Sequence, residues 1–227
     1  LLNRRGHLRP RLLVAAGLSF GLFGAGWIGV RGAHGGPLPL DEALDVVILR
    51  IRWGPLRPLV DLIAWVNGPR QTIAGVAIVV IVGALWLRVA PLMIAGALSG
   101  PLYSVTVSII ARPRPPSVSG SFAGFGFPSG HAVFFTTYAL LVGLVIRRRL
   151  PPAAARAGMV LLGLLWLVGV VSRVWERAHW PSDVLAGIAL AFGWVALVLS
   201  VRWLSSPVLG DRDQVAGDTD QGNHSGP

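Results

Sequence analysis

The chain has 227 residues, 53% of them hydrophobic and only 13% charged, with a net charge of +10. A soluble domain carries about 25% charged residues, so this composition describes a polytopic membrane protein. All 20 basic residues are arginine and there is no cysteine, which excludes disulfides, thiolate metal sites and cysteine nucleophiles.

In chain order, Leu1 to Arg11 is basic and polar. Leu12 to Val30 is uncharged and long enough to cross a ~30 Å hydrocarbon core at about 1.5 Å per residue. That run is too long for a cleavable signal peptide and lacks a small-residue cleavage site, so it is expected to be the first span. Arg31 to Arg70 mixes Asp41, Glu42, Asp45 and Asp61 with arginines, leucines, valines and tryptophans. It reads as one or two amphipathic helices at the membrane surface, broken near Gly54-Pro55 and Gly68-Pro69, with a buried re-entrant element as the alternative.

Further spans are expected over Gln71–Leu87, Val89–Ala111, Ala132–Ile146, Ala157–Val171 and Val184–Val201. The fold class is therefore all-α, a bundle of six transmembrane helices with one or two interfacial helices between the first and second spans. Residues 1–204 form the membrane domain. Residues 205–227, polar and rich in Gly and Asp, are expected to be a disordered tail.

The arginines flank apolar runs and form no dense patch, which fits membrane topology and anionic lipid and speaks against nucleic acid as a partner. With both termini in the cytoplasm, Arg88, Arg147 to Arg149, Arg156 and Arg202 are cytoplasmic, as the positive-inside rule requires of the plasma membrane. The loops 112–131 and 172–183 then share the extracytoplasmic face.

Those two loops hold the chemistry. In Ala111-Arg-Pro-Arg-Pro-Pro116, the prolines stiffen the segment and pre-organise its arginines for bidentate contact with phosphate oxygens. Pro128-Ser129-Gly130-His131 opens a helix. Its unpaired N–H groups, the Ser129 hydroxyl and the close approach allowed by Gly130 suit an anion, and His131 could protonate a leaving oxygen. In Val171-Ser-Arg-Val-Trp-Glu-Arg-Ala-His-Trp-Pro-Ser-Asp183, Pro181 starts a helix with His179 just ahead of it and Asp183 about one turn inside. A carboxylate there can accept the proton of one imidazole nitrogen and leave the other free to attack. Either loop alone could equally be read as helix caps or headgroup contacts at an interface.

Together, Arg114-Pro115, the Pro-Ser-Gly-His run, and Ser172-Arg173 followed by His179 and Asp183 resemble the type 2 phosphatidic acid phosphatase family over about residues 70 to 200, with the core motifs within 105–187. The resemblance implies a membrane helix bundle that uses no metal and no cofactor. It implies that His179 is the nucleophile forming a phosphohistidine, oriented by Asp183, and that His131 is the general acid. Arg114, Arg173, Ser129 and Gly130 would hold the phosphoryl oxygens of a lipid phosphate. Candidate substrates are phosphatidate-like lipids, phosphatidylglycerophosphate and polyprenyl phosphates or diphosphates, with a phosphotransferase or a non-catalytic lipid-phosphate binder as the alternatives.

One departure stands out. The family pattern has a lysine seven residues before the arginine of its Arg-Pro, and counting back from Arg114 reaches Val107. Arg112 is the nearest cation that could replace it at the phosphate, and Arg177 is the next.

Overall fold

The computed structural model describes residues 8–66, 69–116 and 124–210. Every named element among them is helical. The first span is α1 (Pro10–Gly32). Two short helices follow, α2 (Pro39–Ile48) and α3 (Arg57–Trp65), joined through a 3-10 turn at Gly54–Leu56. Then come α4 (Pro69–Leu85), α5 (Ala90–Ala97) and α6 (Ser99–Ile110). The remaining helices are α7 (Gly130–Arg149), α8 (Pro152–Trp175), α9 (Pro181–Ser200) and α10 (Arg202–Leu209). Proline opens α1, α2, α4, α8 and α9, where its missing N–H breaks no helical bond.

Among the described residues, five stretches are long and apolar enough to cross a membrane, and the count reaches six if the bent pair Gly54–Trp65 and α4 forms one span. That pair meets at 96°. The interfacial segment expected between the first two spans is α2 and α3, broken at the anticipated Gly54-Pro55. The expected third span is divided between α5 and α6. Pro101 has no N–H for the carbonyl of Ala97, and the break falls at Leu98. Residues 205–209, assigned to the tail by composition, continue as α10, with Leu204 and Val208 buried against the bundle. The rest of the expected tail, 211–227, lies outside the described residues.

Helix α9 is the centre of the bundle, packed on α1 along one side and on α7 along another, with α8 against α7. Close crossings explain several glycines. A Cβ on Gly187 would stand 2.7 Å from the Ser129 carbonyl oxygen and 2.9 Å from the Ala132 methyl. Only glycine lets the first turns of α7 and α9 meet there. Helices α1 and α9 run antiparallel: the Arg9 N–H donates to the Ser200 carbonyl at 2.8 Å at one end, while Arg112 bridges the turn after α1 and the start of α9 at the other.

The two ends of the bundle differ in charge. The end with Arg9, Arg11, Arg88, Arg147 to Arg149, Arg156 and Arg202 holds none of the described carboxylates. All the described acids, Asp41, Glu42, Asp45, Asp61, Glu176 and Asp183, lie at the other end, where α2 and α3 cross the tops of α8 and α9.

Candidate active site

Helices α7 and α9 begin side by side at the acidic end. The Ser129 N–H donates to the Asp183 carbonyl at 2.9 Å, tying one N-terminus to the other. The Asp183 carboxylate accepts the Trp180 N–H at 2.9 Å, capping α9 from its own first turn. The segment after α6 and the loop before α9 close over this junction. Between them is a small polar cavity lined by Gln71, Tyr103, Arg114, Gly130, His131, Arg173 and His179, with Ala64 and Ala178 at its margin. Five of the residues singled out by sequence therefore share one space: Arg114, Gly130, His131, Arg173 and His179.

The His179 ring has only one tautomer that satisfies its neighbours. Its Nε2 lies 3.1 Å from Arg114 Nη1. A guanidinium can only donate, so Nε2 is the accepting nitrogen. Nδ1 lies 2.8 Å from the Gly126 carbonyl oxygen, which can only accept, so Nδ1 carries the proton. The lone pair of Nε2 therefore sits beside Arg114. Asp183 Oδ2 is 3.7 Å from Nδ1, too far for a hydrogen bond, and acts on the ring through its charge. The hydrogen-bonding role expected of Asp183 thus falls to the Gly126 carbonyl. Burial lowers the His179 pKa from its ordinary 6.5. Asp183 opposes that shift and the Arg114 charge adds to it, so the ring is neutral near pH 7.

His131, in the first turn of α7, places Nε2 3.3 Å from the Ile63 carbonyl of α3, so that nitrogen holds a proton. Arg173, at the end of α8, stands beside Glu176, whose Oε2 is 3.0 Å from Nη2 in an ion pair without hydrogen-bond alignment. Burial raises the Glu176 pKa and Arg173 restrains that rise. Arg114 is held from behind by the Ala178 carbonyl at 2.6 Å.

Arg112 and Ser129 stand apart from these. Arg112 does not line the cavity. Its Nη1 donates to Asp183 Oδ1 at 2.6 Å and Ser182 Oγ at 2.7 Å, and its Nη2 to Asp41 Oδ2 at 2.9 Å and the Gly36 carbonyl at 2.7 Å. Its Nε reaches the Gly35 carbonyl at 3.4 Å. All five N–H groups of the guanidinium have acceptors, leaving none for a phosphate. The expectation that Arg112 replaces the missing cation is therefore corrected: Arg112 is the buried counterion of Asp41 and Asp183. Arg177, the second candidate, is not among the lining residues and interacts with Asp45 instead. Ser129 is fully buried at the N-cap of α7, where Oγ accepts the Ala132 N–H at 3.4 Å, and it too is absent from the lining.

Sequence reasoning missed four residues here. Asp41, fully buried, accepts from Arg112, from the Ser182 N–H and hydroxyl at 2.7 and 2.8 Å, and from the Leu38 N–H at 2.8 Å. Nothing local distinguishes it from the exposed Glu42 beside it. Glu176 could have been found from its i, i+3 spacing to Arg173. Tyr103 could have been found one helical turn before Val107. Gln71 carried no signal beyond being polar at the start of a span.

Two histidines and two arginines surround one polar cavity at one end of a bundle of membrane-length helices, and their charge and donors are the kind an oxyanion requires. A family model described as the PAP2 superfamily matches residues 88–207. This chain belongs to that family. It is 39% identical over 89 residues to phosphatidylglycerophosphatase B of Escherichia coli K12, a match covering 38% of this chain and 32% of that protein. It is 34% identical over 95 residues to glucose-6-phosphatase catalytic subunit 1 of Haplochromis xenognathus, covering 38% of this chain and 34% of that protein. The match thus spans about a third of the length of each of these relatives. The fold is similar to the crystal structure of the first transmembrane PAP2 type phosphatidylglycerolphosphate phosphatase from Bacillus subtilis. The TM-score is 0.61 at 21% identity, over 81% of this chain and 94% of that one.

Proposed function

We propose that the chain is a metal-independent phosphatase of membrane lipid phosphates, acting through a phosphohistidine on His179. The observation that carries this reading is the neutral His179 ring, its Nε2 lone pair held beside Arg114 in the cavity shared with His131 and Arg173. In the first step the His179 Nε2 bonds to phosphorus as the bond to the lipid oxygen breaks, and His131, entering the step as an imidazolium, gives that oxygen a proton and is left neutral. In the second, water attacks the phosphohistidine, His131 takes a proton from it, and inorganic phosphate leaves. Arg114 and Arg173 neutralise the phosphoryl oxygens throughout, the main requirement of phosphoryl transfer. Asp183 stabilises the positive charge that develops on His179.

A lipid substrate is favoured by what surrounds the site. Leu62 and Trp65 on α3, and Leu40, Val46 and Val47 on α2, expose apolar side chains at this end of the bundle. A phosphate at headgroup level can reach the cavity while its chains stay in the bilayer. Phosphatidylglycerophosphate, on which the Escherichia coli relative and the Bacillus subtilis structural neighbour act by name, is the leading candidate among phosphatidate-like and polyprenyl phosphates. The arginine-rich end remote from the cavity belongs on the cytoplasmic side of the plasma membrane, which makes the site extracytoplasmic.

The test is phosphate release by purified protein in detergent with a panel of lipid phosphates, with and without EDTA. Turnover in EDTA, together with a base-stable, acid-labile label on wild type that His179→Ala lacks, is the expected result. Undiminished turnover in His179→Ala ends the mechanism. A phosphate label passed only to an added acceptor makes the protein a phosphotransferase.

A further inference from the structure

With Arg112 and Arg177 both engaged elsewhere, the cations lining the cavity are Arg114 and Arg173, and α6 contributes a neutral group, Tyr103, to that lining. We propose that Tyr103 is a phosphate-binding residue, donating its hydroxyl to a phosphoryl oxygen in the α6 sector of the cavity, with Gln71 beside it. This rests on the phosphatase reading and specifies how its substrate is held.

Tyr103 lies on α6 one helical turn before Val107, so the two side chains share a face of that helix. The hydroxyl end of its ring packs against the first residue of α7. A Cβ built on Gly130 would lie 2.7 Å from the Tyr103 Cζ and 2.9 Å from its hydroxyl oxygen. The hydroxyl is thereby held at the N-terminus of α7. Tyr103 is also close enough to Arg114 for the two to interact electrostatically. A phenol enclosed by protein normally finds a hydrogen-bond partner. Tyr103 is half-buried and lines the cavity, and its hydroxyl has no hydrogen-bond partner among the described residues.

Gln71, at the start of α4, lines the same space and donates weakly from Nε2 to the Gly130 carbonyl at 3.4 Å. Both side chains bring donors without bringing charge. A phosphoryl group seated here would meet Arg114 on the side of His179, Arg173 from α8, and the Tyr103 hydroxyl on the remaining side. The arrangement explains how a site with valine at position 107 can still satisfy a third direction of the anion. A hydroxyl held rigidly in place replaces a mobile ammonium.

The experiment uses the full chain in detergent, with vanadate as the probe, in wild type, Tyr103→Phe and Tyr103→Lys. Phenylalanine keeps the ring on Gly130, so the thermal unfolding midpoint without ligand should match wild type. The vanadate inhibition constant should rise about 10-fold or more, as for the loss of a hydrogen bond to a charged group. Catalytic efficiency toward a lipid phosphate should fall by a similar factor, and vanadate binding measured by ligand-induced thermal shift should weaken in parallel. Tyr103→Lys, which returns a donor to the same sector, should recover most of the binding. Vanadate inhibition of Tyr103→Phe within about twofold of wild type overturns the proposal, because one lost charged hydrogen bond exceeds that factor. So does a fall in turnover with unchanged vanadate binding. Wild-type protein that binds vanadate without releasing phosphate removes the phosphatase reading, and Tyr103 is then judged on the thermal-shift arm. Wild type that neither binds nor turns over removes both.

Discussion

Arg112 Nη1 lies 2.6 Å from Asp183 Oδ1, and both side chains are completely buried. Asp41 closes the other side of the guanidinium at 2.9 Å, also without exposure. Two carboxylates share one cation beneath the loop that carries His179, and Asp41 reaches past it to hold Ser182 as well. The interfacial helix α2 is thus fastened to the first turn of α9, one turn from His179.

Arg112→Ala should therefore act on the fold first. It strands two buried carboxylates, which costs about 3–5 kcal/mol when one partner of a buried pair is lost. A large fall in the unfolding midpoint in detergent is expected, with activity lost alongside it. Val107→Lys should not restore either, because a charge in the cavity does nothing for Asp41 and Asp183. Rescue of Arg112→Ala by Val107→Lys would mean that the guanidinium serves the phosphate after all.

The lowered pKa of His179 has a signed consequence. Its folded value lies below the ordinary 6.5, so the neutral, nucleophilic ring persists below pH 6.5 and is lost only as pH falls through that lower value. Formation of the labelled phosphoenzyme, followed in rapid mixing, should hold constant from pH 7.5 down through 6.5. Asp183→Asn removes the opposing negative charge and should move the acid limb lower still while slowing the reaction. An acid limb above pH 6.5 would contradict this environment for the ring.

Gly187→Ala probes the crossing of α7 and α9. The added methyl would meet the Ser129 carbonyl at 2.7 Å, and backbone there cannot turn aside. Overpacking of this kind costs about 1–3 kcal/mol. Displacing Gly130 and His131 from His179 by even ~1 Å should lower turnover about 100-fold. Kinetics and thermal unfolding on the same preparation separate the two effects. Wild-type turnover in Gly187→Ala would show that the two N-termini need not meet so closely.

Topology is open to cysteine labelling in this cysteine-free chain. Ala43→Cys, on the exposed side of α2, should react with an impermeant thiol reagent in intact cells. Ala154→Cys, exposed beside the arginine-rich end, should react only after lysis. Ser119 and Ser121, natural choices from the sequence, lie outside the described residues. Labelling of Ala154→Cys alone in intact cells would invert the proposed orientation.

What the sequence determined by itself follows from local physics. Uncharged runs of bilayer length have to become helices in a membrane because every backbone polar group must be paired internally. Pro181 marked the start of α9, since in the first helical turn proline loses no hydrogen bond. The order of motifs along alternating spans was enough to bring His131, His179, Arg114 and Arg173 to one face. Tertiary structure decided what local pattern cannot carry. Arg112 and Arg114 are the same residue type in the same proline-stiffened segment, yet one faces the cavity and the other is enclosed by groups about seventy residues away in either direction. Their destinations depend on acceptors contributed by α2, the turn after α1 and α9, and the spacing of residues 112 and 114 says nothing about where those acceptors stand. The same holds for His179. The carboxylate four residues on was the obvious partner for Nδ1, but the Gly126 carbonyl, brought in from the loop before α7, lies closer and accepts its hydrogen bond.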